Sequence, residues 1–508
     1  MRSKLSLYNS LSGIIFQSIN LFITFLSRSF FIKFLSVEFL GLNGLFLNIM
    51  GILSIAELGL GTAITVNLYK PIREENEDKI RGIYELYKKA FTFIGIFLFF
   101  ISIIISFFVP SMVKGSNISN SMIILYFLLF SLNTSSSYLF ATNRTIFFAY
   151  QKNFIVIKND IIFLLLRNVV QIILLFVFHN YILYLIIEIF FTWLGNFYLE
   201  LKLRKKYSFL FLDTLNTRNN ISKREIFSSV GNVSILKIVG VGVNSTDNII
   251  ISSFIGITIT GVFSNYLLIF NAIFNFIGQF FNGVLASLGD LIVEQVEEKI
   301  RFMYSTINFL CFLFASLTIL PLFFSSTKFI QIWLGKEYVL SSHTVLLLAI
   351  IHYLKVSRQI NWFFVSTSGI FSGYMSASIV EVIVNLAVSL LFVQKFGLNG
   401  ILIGTIIASL VSWIGQTIAV HKHILHTNAI KYFIRQLLFA ILIILQFLIC
   451  FFCIKFIDDS SIAKGDLTNL LLTIFISLTF PVCLNILCFI RKKEFQYLYD
   501  KIKLIFRR

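Results

Sequence analysis

Five cations of this sequence, Arg28, Arg167, Lys237, Lys355 and Arg358, fall inside long apolar runs. A charge at bilayer depth costs at least about 2.5 kcal/mol, so it is rarely kept there without a task. An arginine fork can donate two parallel hydrogen bonds to a phosphate or carboxylate, and a lysine adds a point charge. Several such groups lining one cleft would focus a positive field on an anionic ligand. The principal acids in the same runs are Glu57, Asp160, Glu188, Asp247 and Glu381. Each residue also has a plainer use. Arg28 and Asp247 can snorkel to the surface, as Lys33 does from its place near the end of the first run, and Arg167 can simply neutralise Glu188. Asn244, Ser245 and Asn248, in NSTDN, could bond hydroxyl groups of a ligand, although such residues also join helices to one another.

The elements that must carry these residues are membrane helices. Of 508 residues, 57% are hydrophobic and only 13% charged, about half the charged fraction of a soluble domain. Fourteen apolar runs are expected to span: 11–35, 42–68, 90–110, 120–143, 155–178, 181–202, 228–254, 259–288, 302–325, 342–366, 373–394, 397–420, 436–456 and 467–489. Each is long enough to cross a hydrocarbon core as a helix. The fold expected is therefore all-α and polytopic. No small-residue cleavage site follows the first run, which is read as a retained span. All five cysteines fall in apolar runs, which argues against a disulfide framework. HKHILH (421–426) reads as a basic loop and not as a metal site.

The net charge of +18 is unevenly placed. One set of connections is rich in Lys and Arg, including YKPIREENEDKIRGIYELYKK, the Arg144–Lys158 segment, LRKKYSF and the RKK…RR tail. By the positive-inside rule these are cytoplasmic, and with an even span count both termini are too. The charge therefore speaks for a membrane surface and not for nucleic acid. Ile80, Ile83, Tyr84 and Tyr87 repeat at helical spacing, as do Phe495, Leu498, Tyr499, Ile502 and Phe506. Both stretches are expected to lie along the inner leaflet as amphipathic helices. No connection is long enough for a catalytic domain and no GxxxxGK[ST] loop is present, so an enzyme is not expected.

The chain also repeats itself. FLGLNGLFLN (39–48), FIGITITGVFSN (254–265) and FGLNGILIG (396–404) each open a span with an apolar residue, a glycine and then a second glycine. Spans one and two then correspond to spans seven and eight, as two six-helix bundles with the last two spans appended. This gives lobes at 1–225 and 226–430, with spans thirteen and fourteen and the basic tail at 431–508.

Residues 39–72 and 244–269 resemble the bacterial polysaccharide repeat-unit flippases, the O-antigen flippase-like (Wzx-like) members of the multidrug/oligosaccharidyl-lipid/polysaccharide exporter superfamily. The resemblance implies two lobes in a V around a central cavity, plus two C-terminal helices. The implied activity is alternating-access transfer of undecaprenyl-diphosphate-linked oligosaccharide to the outer leaflet of the bacterial cytoplasmic membrane. Capsule, exopolysaccharide or O-antigen would be the end product, with polysaccharide polymerase and chain-length machinery as partners and a monomer as the unit. Arg28 matches an implicated cavity position on span one, and Lys237 matches more loosely. No cofactor is implied beyond Na⁺ or H⁺ as coupling ion, for which Glu57 and Asp247 are candidates. A multidrug exporter of the same superfamily is the nearest alternative, but intramembrane cations disfavour cationic drugs. A membrane polymerase or ligase would be expected to carry a substantial outer loop.

Overall fold

The computed structural model describes residues 2–57, 60–212, 246–293, 296–371, 373–459 and 465–506. These residues form helices, turns and loops, with no strand among them. Two compact units divide at Gly261 and Val262. The first contains α1 (Arg2–Phe34), α2 (Val37–Leu53), α3 (Leu60–Arg73), α4 (Glu77–Ser106), α5 (Asn120–Ser137), α6 (Ala141–Ala149), α7 (Asn153–Phe178) and α8 (Tyr181–Lys206). Helix α9 (Ile257–Val293) begins in the first unit and continues in the second. The second then runs through α10 (Glu297–Trp333), α11 (Ser342–Ser357), α12 (Gln359–Ser368), α13 (Tyr374–Phe396), α14 (Leu398–Val420), α15 (Ile430–Asp459), α16 (Asp466–Phe489) and α17 (Lys493–Phe506).

Among the described residues, eleven helices are long and apolar enough to cross a membrane. They account for every expected span except the second, seventh and tenth. Most of the seventh lies outside the described residues. The other two are present but broken. After α2 the chain tightens into a 3₁₀ turn at Ser54–Glu57, and α11 stops at Ser357 before α12 restarts at Gln359. Span four is interrupted as well, by a 3₁₀ turn at Tyr138–Phe140 between α5 and α6. Breaks at membrane depth persist only where the freed backbone groups are buried in protein or line a polar space.

The expected lobe boundary at 225/226 falls outside the described residues. The first unit reaches Gly261 because the loop after α4 clasps the approach to α9. Lys114 donates from its backbone to Ser252 O at 3.2 Å and accepts from Ile257 N at 3.0 Å. Its Nζ also donates to Phe254 O at 3.0 Å. Within that unit two of the glycine-rich motifs meet. A Cβ on Gly41 would overlap the Ile257 carbonyl, and one on Gly261 would overlap that of Val37. Only glycine permits backbones to approach so closely.

One expectation is corrected here. KIRGIYELYKK is not an interfacial helix of its own but the first turns of α4. Ile80, Ile83, Tyr84 and Tyr87 are buried in the core of the first unit with Phe147, Leu199 and Leu203. An apolar stripe at helical spacing fits protein as well as it fits lipid, so the pattern cannot distinguish them. The tail does form a helix, α17, and docks on the second unit. Tyr497 stacks edge-on with Phe302 at 5.5 Å, while Tyr499 stays 58% exposed.

The last two spans are joined to α10 by buried hydrogen bonds. Ser316 donates to Gln446 at 3.0 Å, Gln446 to Asn485 at 2.8 Å, and Asn485 back to Ser316 at 2.8 Å. This closed ring links α10, α15 and α16. HKHILH continues α14 as a π-type turn, with His421 buried against Tyr304 and not in a solvated loop.

Candidate functional site

In the first unit the break in span four carries Arg144 onto α6, facing α7 and α8. Its guanidinium donates two parallel hydrogen bonds to the Asp160 carboxylate, each 2.8 Å, and shares Asn196 Oδ1 at 3.1 and 3.3 Å. Two turns along α7, Arg167 donates to Glu188 of α8 at 3.4 Å. Glu188 in turn neighbours Tyr184, whose hydroxyl bonds Ser27 and interacts with Arg28 of α1. Phe31 packs edge-on against the Tyr184 ring at 5.0 Å, which fixes this face of α1 against α8. Arg28 therefore faces protein. Three guanidinium groups, Arg28, Arg144 and Arg167, thus share this seam with the Asp160 and Glu188 carboxylates.

A groove of about 200 Å³ opens along the seam, lined by Arg144, Asp160 and Arg167 with Asn159, Asn196 and Phe16 among its other walls. Ligand pockets usually exceed roughly 300 Å³. The groove suits water or a small polar group and is too small for an oligosaccharide.

The second unit holds a counterpart. Asp160 is the eighth residue of α7, and Glu381 is the eighth of α13. Arg358, at the α11–α12 break, donates to Glu381, which also accepts from Ser409 of α14 at 3.5 Å. The Arg358 and Glu381 side chains are 17% and 4% exposed, against 35% and 26% for Arg144 and Asp160, so the second pair is the deeper. Lys355 lies one turn before Arg358, beside His352, whose Nε2 bonds Thr318 Oγ1 at 2.9 Å.

A further correspondence links the starts of α4 and α10, one in each unit. Lys-Ile-Arg-Gly-Ile-Tyr (79–84) and Lys-Ile-Arg-Phe-Met-Tyr (299–304) begin α4 and α10. Tyr84 donates to Asn143 at 2.8 Å, and Tyr304 to Asn361 at 3.1 Å. Arg81 donates to the Leu212 carbonyl at 3.4 Å, and Arg301 to that of Leu425 at 3.1 Å. Each tyrosine thus tethers a continuous span to a broken one. The recurring KIRxxY, absent from the glycine-rich motifs above, is the signal in the sequence for this repeat. The expected span four ends at residue 143 and leaves Arg144 in a loop, whereas α6 runs on to Ala149.

The remaining candidates are dispersed. Glu57 stands at the break in span two and accepts from the Tyr138 hydroxyl in the break of span four. Asn248 is buried and Asp247 half-buried near the start of the 251–255 turn. Lys237, Asn244 and Ser245 lie outside the described residues. Among the described residues no group of three or more His, Cys, Asp or Glu is arranged to hold a metal.

No family model and no curated protein sequence matches the chain. Solved structures do. The lipid II flippase MurJ, in an inward closed conformation, matches over 95% of this chain and 98% of its own, with a TM-score of 0.67 and 16% identity. An inward-facing multidrug resistance MATE family transporter of the MOP superfamily matches over 80% of this chain and 94% of its own, with a TM-score of 0.60 and 15% identity. A MOP superfamily transporter from Pyrococcus furiosus matches over 81% and 94%, with a TM-score of 0.56 and 15% identity. This chain has the MOP transporter fold. The MOP structures differ in how much of it they reach. With about one residue in twenty left unmatched, the flippase alignment must include most of residues 431–508, whereas the MATE alignment leaves about a fifth of the chain out.

Proposed function

We propose that this chain is a flippase that carries undecaprenyl-diphosphate-linked oligosaccharide repeat units from the inner to the outer leaflet of a bacterial cytoplasmic membrane by alternating access, for capsule, exopolysaccharide or O-antigen synthesis. The observation that carries this reading is the near-complete match to the lipid II flippase, which covers 95% of this chain where the multidrug transporter covers 80%. The arginines gathered along the seam, Arg28, Arg144 and Arg167, support an anionic head group over a cationic drug. A diphosphate and its sugars cannot cross hydrocarbon unaided, whereas a prenyl chain can remain in lipid, so the protein need only replace the head group's hydration. Both termini would be cytoplasmic, and a polysaccharide polymerase would act next.

In this reading Arg28, Lys237 and Lys355 contact phosphate, and Asn244, Ser245 and Asn248 contact sugar. Arg167 and Arg358, each balanced by a carboxylate, hold the helices that present those groups. Glu57 and Asp247 remain the candidates for Na⁺ or H⁺ coupling. The test is transbilayer movement of a lipid-linked oligosaccharide in proteoliposomes. Wild-type protein should move it, and Arg28→Ala and Lys237→Ala should slow it by at least about tenfold, the loss of one charge-assisted bond. Efflux of a cationic dye without movement of the lipid-linked sugar would favour the multidrug alternative and defeat this reading.

A further inference from the structure

At the lysine-rich ends of α7 and α8 lies a pocket that the ion-pair groove does not share. Phe147 of α6 and Phe154 and Ile155 of α7 form its apolar floor, and Lys158, Lys202, Lys205 and Lys206 form its rim, around a volume of about 320 Å³. Phe154, Ile155 and Lys158 occupy one face of α7, while Asn159, Asp160 and Phe163 line the groove described above. Lys152 adjoins Lys206, and its Nζ donates to the Tyr207 hydroxyl at 3.0 Å. Among the described residues none of these five lysines has a carboxylate within 4.0 Å. Burial pushes the Tyr207 hydroxyl up to about 12, so it stays protonated and supplies no negative charge.

Five ammonium groups gathered without an acid repel one another, and an anion settling among them removes that cost. A soluble anion would have no use for the floor. Phenylalanine and isoleucine beneath a cationic rim, at the ends of membrane helices, suit a ligand with a phosphate and a hydrocarbon chain together. We infer that this pocket binds an anionic glycerophospholipid of the adjoining leaflet, with its phosphate on the lysine rim and its glycerol and first methylenes on Phe154 and Ile155, which Phe147 backs from the core. The site is independent of the transported molecule and does not rest on the flippase reading.

The test uses the full-length protein in neutral detergent, with native mass spectrometry and thermal unfolding as readouts. Dioleoyl phosphatidylglycerol should be retained and should raise the unfolding temperature, whereas dioleoyl phosphatidylcholine and inorganic phosphate should do neither. Replacing Lys158, Lys202, Lys205 and Lys206 together by Gln should weaken phosphatidylglycerol binding by at least ~10-fold, and replacing them by Arg should restore it. Removing the same number of charges from the tail, at Lys492, Lys493, Lys501 and Lys503, should leave binding unchanged. Ile155→Trp fills the floor while keeping every lysine, and should weaken binding even if the fourfold Gln variant fails to fold. The inference is overturned by wild-type retention in the Gln or Trp variant, by equal loss in the tail variant, or by inorganic phosphate protecting as well as the lipid.

Discussion

Arg144 and Asp160 are joined by two parallel hydrogen bonds of 2.8 Å, and Arg358 and Glu381 form the corresponding pair in the other unit. In both, an arginine from an interrupted helix meets the acid at the eighth position of the next long one. The pair thus holds a broken span, which lacks continuous backbone bonding, against a continuous span.

Removing one partner strands the other charge, and the cost should follow depth. Arg144→Met should destabilise by roughly 1–3 kcal/mol, because that pair is partly solvated. Arg358→Met should cost about 3–5 kcal/mol, because Glu381 is buried. Adding Asp160→Leu or Glu381→Leu should recover much of each loss. Unfolding temperatures in detergent read all four variants, and equal losses at the two sites would contradict the argument from depth.

The contact between Gly41 and Ile257 should admit no side chain. Gly41→Ala drives a methyl group into a carbonyl, so the two helix starts must separate at a cost of about 1–3 kcal/mol. Gly44 has nothing near its missing Cβ, and Gly44→Ala should be close to neutral. The two unfolding temperatures, measured side by side, decide it.

Gln446→Leu should break the ring that binds α15 and α16 to α10. Ser316 keeps one bond, from Asn485, while Asn485 loses a donor. Membrane-buried hydrogen bonds of this kind are worth about 1 kcal/mol each. The expected result is a modest fall in unfolding temperature with faster hydrogen exchange confined to α15 and α16. Exchange that rises evenly over the second unit would speak against a local fastening.

The tail should undock at acid pH. Burial opposes the charge on Glu494, but bonds from Ser305 at 2.6 Å and Arg435 at 3.0 Å outweigh it and hold the carboxyl below its ordinary range. A carboxyl depressed in the folded state contributes stability above its unfolded value near 4.3 and loses it as pH falls through the folded value. Protection of α17 in hydrogen exchange, corrected for intrinsic rates, should therefore drop below about pH 4 in wild-type protein. Glu494→Gln should be less protected at neutral pH and should lose that dependence.

The pattern of spans was readable because a helix crossing lipid must be apolar along its whole length. Ten of the runs therefore reappear as single helices, and span four as an apolar span with a 3₁₀ turn inside it. The interruptions at Ser54–Glu57, Tyr138–Phe140 and Arg358 were not readable, since a broken helix at membrane depth has the same apolar composition as a continuous one. Pairing was equally hidden. The pattern offers Arg167 with Glu188 as one option but does not show Arg144 with Asp160, because the start of α6, Thr142–Thr145, looks polar whether it is loop or helix.

The sequence by itself determined that the chain is a multi-pass helical membrane protein with duplicated motifs and charges at depth. Those properties follow from composition and period, which lipid imposes residue by residue. Only the tertiary structure decided that the KIRGIYELY stripe faces protein, that Gly41 meets Ile257, and which acid neutralises which arginine. Each depends on what the neighbouring helix presents at the same depth, and no local pattern along one helix contains that information.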